Sequence, residues 1–200
     1  RASVMANIYR GATVRPVFFY ENTEGGFRAD LQLDLINLDG NTYDFESNAT
    51  GWQTTTSSTG ITGYSSASWT SVATATTTGR WNRDALGTGS SGTGLTSAAS
   101  GSYYLYAETS SPANAVGYRF LLRGPQVTLG DDPDFTWYEG RYSSTLDMGT
   151  LKVYLDVITS GGGGAPTGLS PILATTTGNS GSWQQQEADL GFAEGFRITE

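Results

Sequence analysis

The chain contains neither cysteine nor histidine among its 200 residues. A Ser-His-Asp triad, a Cys-His pair and the usual zinc sites each need one of these side chains, so most hydrolase mechanisms are excluded. The lack of cysteine also removes any disulfide evidence about the compartment. The sequence therefore predicts a protein that is not an enzyme.

Basic residues are few. Nineteen acidic residues against eleven basic ones give a net charge of -8, and Lys152 is the only lysine. Because the arginines are scattered, nucleic acid and an anionic membrane surface are poor partners for this chain. No apolar run approaches the ~20 residues of a transmembrane helix, so we expect no membrane insertion.

Amphipathic helical patterns are missing, whereas short alternating segments recur. The chain has 27 glycines and only 15% charged residues, a composition that favours short strands joined by turns. Segment 135–155 is the most informative, because an aromatic cluster, a polar link and an alternating strand follow in order. About ten predicted strands favour an all-β, two-sheet sandwich, with a jelly roll as the natural candidate.

Two N-terminal segments, 14–21 and 29–38, are predicted to be strands separated by a glycine turn. In the second, alternation assigns three leucines to the buried side and three polar residues to the solvent side. These residues are Leu31, Leu33 and Leu35 against Asp30, Gln32 and Asp34. Further along, the stretch 87–94 (GTGSSGTG) is typical of a mobile loop.

Seven short pieces follow one another in a fixed order from Asp44 onward. They are DFESNATGW (44–52), SWT (68–70), SGSYYLYAETSSP (100–112), FTWY (135–138), MGTLKVYL (148–155), GNSGSWQQQEADL (178–190) and FRIT (196–199). Together they resemble the MAM domain, a jelly-roll adhesion module of receptor ectodomains. The resemblance implies a jelly-roll sandwich and, since cysteine is absent, a bacterial or viral relative.

The resemblance also implies a closing strand after Glu200, and residues 17–36 (VFFYENTEGGFRADLQLDLI) have the form of that strand and its turn. We therefore divide the chain into an N-terminal extension, residues 1–43, and a MAM-like jelly roll, residues 44–200. A sandwich without its closing strand exposes unpaired backbone groups. The strand can come from residues 14–38 of the same chain, from a preceding copy in a repeat array, or by exchange with a neighbouring subunit.

Carboxylates near the ends of the predicted domain suit calcium, which takes hard oxygen ligands from loops and strand ends. Asp44 and Glu46 at its start would approach Glu200 at its end if the termini are adjacent, and Asn48 would help to complete the shell. The alternative is that these are ordinary strand-end residues.

Tryptophan supplies the candidate contact residues. Trp52, Trp137 and Trp183 are predicted to pack between the sheets, because they match positions of the resembled family. Trp81 is the candidate for an exposed contact with a partner or a glycan, because it is flanked by Arg80 and Arg83 in a predicted loop.

The leading hypothesis is a structural or adhesion module, extracellular or on a cell surface or virion. It would contact copies of itself, as a homo-oligomer or repeat array, or a surface protein or glycan. The alternative is a carbohydrate-binding jelly roll, which predicts exposed aromatics along a groove. A third possibility, a glycosidase, would need two carboxylates about 5 to 10 Å apart in a cleft. Its candidate acids are Asp131, Asp132, Asp134 and Glu139.

Overall fold

A computed structural model describes most of the chain, in six segments. These are residues 7–47, 52–54, 78–79, 81–111, 113–145 and 148–190. They form strands and turns, and no helix among them is long and apolar enough to cross a membrane.

Fourteen strands in the described segments form two sheets. Sheet A contains β1 (Thr13–Asn22), β4 (Gln53–Thr54), β5 (Thr78–Gly79), β8 (Tyr118–Arg123), β9 (Val127–Thr128), β11 (Thr150–Thr159), β12 (Gly168–Leu169) and β13 (Ala174–Thr176). Sheet B contains β2 (Gln32–Leu38), β3 (Asn41–Tyr43), β6 (Trp81–Ala85), β7 (Tyr103–Ala107), β10 (Phe135–Gly140) and β14 (Trp183–Glu187).

Sheet A runs in the order β12-β11-β1-β8-β4, with β13 beside β11, β5 beside β8 and β9 beside β1. Sheet B runs in the order β14-β10-β2-β7-β6, with β3 beside β2. Among the described strands every pairing is antiparallel except that of β5 with β8. The predicted all-β, two-sheet sandwich is confirmed, whereas the jelly-roll connectivity stays a prediction.

The core lies between the sheets and follows from period-two alternation. In β11 the residues Leu151, Val153, Leu155 and Val157 are buried, while the residues between them are partly exposed. They join side chains of sheet B, including Trp137, in one hydrophobic cluster. Complete burial of side chains of this size stabilises the fold by roughly 1.5–3 kcal/mol each.

The N-terminal strands are central in both sheets. Strand β1 lies between β11 and β8, and β2 lies between β10 and β7. Within this chain, residues 14–38 therefore supply a central strand to each sheet, and the three sources considered for the closing strand stay predictions. Residues 13–43 contribute β1, β2 and β3 to the two sheets.

A β-bulge in β2 corrects the predicted faces of this strand. Asp34 pairs with Tyr138 and Asn37 with Thr136, so two residues of β2, Leu35 and Ile36, oppose a single residue of β10. Leu35 has a φ of 45°, and its N–H donates to the carboxylate of Asp34 over 2.7 Å. Because the extra residue reverses the alternation, Ile36 takes the core position that the sequence assigned to Leu35.

The polar side of β2 is also buried, which contradicts the predicted solvent face. Asp30, Gln32 and Asp34 are fully buried, because the segment 86–102 is hydrogen-bonded to them. The Gln32 amide donates to the carbonyl of Leu95 over 3.1 Å, and Asp34 accepts the N–H groups of Ala99 and Ser100. The glycine-rich stretch predicted to be a mobile loop is also bonded to this region, because the Thr93 hydroxyl accepts the N–H of Asp30 over 3.0 Å.

Candidate functional site

Several loops that connect the strands lie together at one end of the sandwich. The pairs Asn22–Tyr118, Glu21–Thr150, Gln32–Gly140 and Leu151–Thr176 place the ends of β1, β10 and β13 beside the starts of β8, β11 and β2. We call the resulting surface the loop end. Its described residues are 23–31, 90–94, 108–111, 113–117, 141–145, 148–149 and 177–182.

A buried ion pair lies beneath the loop end. The Arg141 Nε donates to a carboxylate oxygen of Glu139, and both residues are almost completely buried. The guanidinium also donates to the carbonyl oxygens of Gly149 over 2.7 Å, Thr176 over 3.0 Å and Gly178 over 3.4 Å. One arginine therefore holds the connection before β11 against the residues that follow β13.

Two further buried groups fix the other connections. The Asp30 carboxylate accepts the N–H of Thr109 over 2.9 Å and its hydroxyl over 2.8 Å. Burial is the main reason that the pKa of Asp30 is raised to about 6, and the bonds from Thr109 oppose this rise. The Tyr20 hydroxyl donates to the carbonyl of Ala29 over 2.7 Å and accepts the N–H of Gly149 over 3.1 Å. Each group ties segments of the loop end that are distant in sequence.

Apolar side chains are exposed above this polar layer. Phe27 is 44% exposed, Val116 69% and Tyr142 37%, and the Arg28 guanidinium lies 5.0 Å from the Phe27 ring centre. Their loops are hydrogen-bonded to one another, since Gly26 N–H donates to Asn114, Arg28 to Ser91 and Gly94 N–H to Tyr142. We call Phe27, Arg28, Val116 and Tyr142 the contact patch.

An open cavity of about 310 Å³ lies at the same end. Three threonines, one carboxylate, one thioether and one glycine line it: Thr23, Glu24, Met148, Thr150, Thr177 and Gly178. Gly178 is also bonded to the buried Arg141.

Two of the residues predicted to bind calcium, Asp44 and Glu46, lie at the opposite end of the sandwich, near the start of β7. One oxygen of Glu46 accepts the N–H groups of Ser102 over 2.7 Å and Tyr103 over 2.8 Å. These bonds hold the pKa of Glu46 below its ordinary value. The Asp44 carboxylate accepts the N–H of Glu46 over 3.2 Å.

The rest of the predicted calcium shell, Asn48 and Glu200, lies outside the described residues. Within the described segments, no group of three or more acidic, histidine or cysteine side chains is close enough to hold a metal ion. The calcium site stays a prediction.

The prediction that Trp81 is exposed is wrong. Trp81 is fully buried in β6, where it pairs with Ala107 and joins the core cluster. Alternation along β6 directs Asn82 and Asp84 to the opposite side from Trp81, and this mixture of polar residues is why the segment resembles a loop. Arg83 faces inward as well, and it donates to the carbonyl oxygens of Phe45 over 2.6 Å and Glu46 over 2.8 Å. Arg80 lies outside the described residues.

The other described tryptophans divide between two environments. Trp52 and Trp137 are buried between the sheets, as predicted. Trp183 is only partly buried and lies on the outer side of sheet B, which corrects its prediction. Its indole N–H donates to the carbonyl of Ser97 over 2.9 Å, and its ring contacts that of Tyr104.

Two of the acids considered for glycoside hydrolysis, Glu139 and Asp134, lie far apart. Glu139 and Asp134 lie five residues apart on one extended strand, which separates them by roughly 17 Å. That distance exceeds the spacing of catalytic carboxylates. Glu139 is bonded to Arg141, and Asp134 accepts the side-chain amide of Asn37 over 2.5 Å.

Comparison with known proteins gives no relative for this chain. No family model, no curated protein and no solved structure matches it. The resemblance to the MAM domain therefore stays a prediction from the sequence, and the functional argument rests on the loop end.

Proposed function

We propose that the chain is a non-enzymatic structural or adhesion module of jelly-roll type, and that its loop end makes the functional contact. The sequence resemblance favours a location outside the cell, on a cell surface or on a virion. What supports a contact role is the use of the buried polar groups. Glu139, Arg141 and Asp30 are all bonded to other parts of the same chain, where they hold loops.

The observation that carries the proposal is the contact patch. Its apolar side chains lie on loops that are bonded to one another and to the sheets beneath them. A surface that is ordered before binding loses less conformational entropy when a partner arrives. Exposed aromatic and arginine side chains are also the types that contribute most to protein interfaces.

The partner we propose is a second copy of this chain. Charges of both signs lie at the loop end, since Arg28 is there with Glu24 and Glu108. In a two-fold arrangement each surface meets its own equivalent, so a basic group of one copy can face an acidic group of the other. Such pairing offsets part of the repulsion that a net charge of -8 produces.

Sedimentation velocity over about a hundredfold range of concentration tests the proposal. We expect the sedimentation coefficient of the wild-type chain to rise with concentration. In the double variant Phe27→Ser/Val116→Ser it should stay at the monomer value, because the exposed apolar area is removed.

The matched control is Ile172→Ser, which removes another exposed apolar side chain, 50% accessible, beside sheet A. It should self-associate like the wild type. A wild-type chain that remains a monomer at every concentration would contradict this contact.

A further inference from the structure

The cavity at the loop end has three walls, and hydrogen bonds inside the protein hold them in place. Its first wall, Thr23 and Glu24, follows β1, where the buried Asn22 side chain bonds to both Gly25 and Gly26. The Asn22 oxygen accepts the Gly25 N–H over 3.0 Å. This turn is therefore held in one conformation beside the cavity.

The second and third walls are joined by Arg141. Gly149 lies between the lining residues Met148 and Thr150, and its carbonyl accepts one guanidinium bond. Gly178 itself lines the cavity, and its carbonyl accepts a second guanidinium bond. The carbonyl of Thr176 accepts a third, and Thr176 directly precedes the lining residue Thr177. A cavity with walls held in this way exists before any ligand arrives, so its formation costs little at binding.

Close packing also fixes the distance between the first two walls. A Cβ added at Gly149 would overlap the carbonyl oxygen of Glu21, so only glycine allows this approach of β11 to β1. The Tyr20 hydroxyl bonds to the N–H of Gly149 across the same gap.

The lining selects for hydrogen-bonding ligands without negative charge. The hydroxyls of Thr23, Thr150 and Thr177 can each donate and accept, and the Glu24 carboxylate accepts. Arg141 does not offset Glu24, because its donors are used by Glu139 and by backbone carbonyls. An anionic ligand would therefore be repelled, and among the described lining residues a metal ion would find a single carboxylate.

The cavity volume of about 310 Å³ is at the lower end of the range for small-molecule sites. It suits a ligand of the size of one sugar ring.

From these observations we propose that the cavity binds one neutral, polyhydroxylated sugar residue of a surface glycan. The ring hydroxyls bond to the three threonines and Glu24. A sugar site of this kind rests on the proposed function, a surface contact made by the loop end. It adds a chemical class of partner to that function. It differs from the carbohydrate-binding alternative in the sequence, because none of the described residues that line the cavity is a tryptophan.

Saturation-transfer NMR with neutral methyl hexosides at about 10 mM tests the site directly. We expect transfer to at least one hexoside and shifts of the backbone amides of Thr23, Thr150 and Thr177. Thr177→Val should weaken this binding by up to about tenfold, because it removes one hydrogen bond. The matched control Thr175→Val changes an exposed threonine of β13 that does not line the cavity, and should bind like wild type.

A second pair of variants tests the role of charge. Glu24→Gln should admit the methyl uronosides that the wild type rejects, whereas Glu187→Gln on the exposed side of β14 should not. Absence of transfer from every hexoside, or equal affinities of Thr177→Val and Thr175→Val, would overturn the site.

The double variant Phe27→Ser/Val116→Ser separates the two proposals. It retains every lining residue, so it should bind the hexoside as the wild type does even when it no longer self-associates. If the wild-type chain is a monomer but binds the hexoside, the self-contact fails and the sugar site stands. If it self-associates and binds no hexoside, the sugar site alone fails.

Discussion

Glu139 and Arg141 form an ion pair inside the protein, beneath the loop end. One residue separates them, so on an extended backbone both side chains point to the same side and reach the same enclosed space. The second oxygen of the carboxylate accepts the indole N–H of Trp137 over 3.2 Å, so the pair also bonds to the core. The loops above the pair depend on it for their position.

Arg141→Leu should therefore lower the free energy of unfolding by about 3–5 kcal/mol, because it leaves a buried carboxylate without its partner. Urea unfolding followed by tryptophan fluorescence measures this change. The double variant Glu139→Gln/Arg141→Leu should lose less than the sum of the two single changes. As a control, Arg10→Leu disrupts an exposed pair with Asp131, at 3.9 Å, and should cost at most about 1 kcal/mol.

The buried carboxylates of β2 predict a dependence of stability on pH. Burial raises the pKa of Asp30 and of Asp34 from 3.8 to about 6, and the nearby Glu108 and Glu46 act in the same direction. The folded state therefore binds protons more tightly than the unfolded state. Their favourable contribution is fully present below pH 4 and is lost as the pH rises through 6.

Each carboxylate should contribute about 2–3 kcal/mol to the difference in unfolding free energy between pH 4 and pH 8. Urea unfolding across this range measures the slope. Asp34→Asn should be less stable at low pH, because its single amide oxygen cannot accept the N–H of Leu35 as well as those of Ala99 and Ser100, but its pH slope should be shallower. An unchanged slope in Asp34→Asn would contradict the assignment.

Local alternation accounts for what the sequence predicts well. The alternating strand predicted within segment 135–155 is observed as β11, because buried and exposed residues alternate along it. The N-terminal strands at 14–21 and 29–38 were also recognisable, although their central positions were not. Pairing with β8, β10 and β11 depends on contacts across more than ninety residues of sequence.

Long-range contacts account for what the sequence does not predict. Asp30 and Asp34 have the pattern of a solvent face, and they are buried only because residues 93–100 return to them. The contact patch is likewise assembled from loops that only the topology brings together. The one local signal for the buried pair was the sequence Trp137-x-Glu139-x-Arg141, in which opposite charges follow a large apolar residue on a strand.

Leu86 offers a test of local backbone strain. It has a φ of 64° and is 75% exposed, so its side chain contributes little burial to offset a left-handed conformation. Leu86→Gly should raise the free energy of unfolding by about 1 kcal/mol relative to Leu86→Ala, which keeps the Cβ that causes the strain. Thermal unfolding of the two variants side by side measures the difference. Equal stabilities would mean that the turn after β6 does not strain a non-glycine residue.

Gly149 tests whether close packing of β1 and β11 supports the loop end. Gly149→Ala places a Cβ against the carbonyl of Glu21, and the neighbouring backbone has to move. We expect a loss of about 2 kcal/mol or more in unfolding free energy, typical of backbone overlap in a packed region. Gly87→Ala is the matched control, because a Cβ there meets no atom within 4 Å, and a change within about 1 kcal/mol is expected. If both alanine variants unfold at the same urea concentration, the strands can separate at Gly149 without cost, and the walls of the cavity are not fixed by this contact.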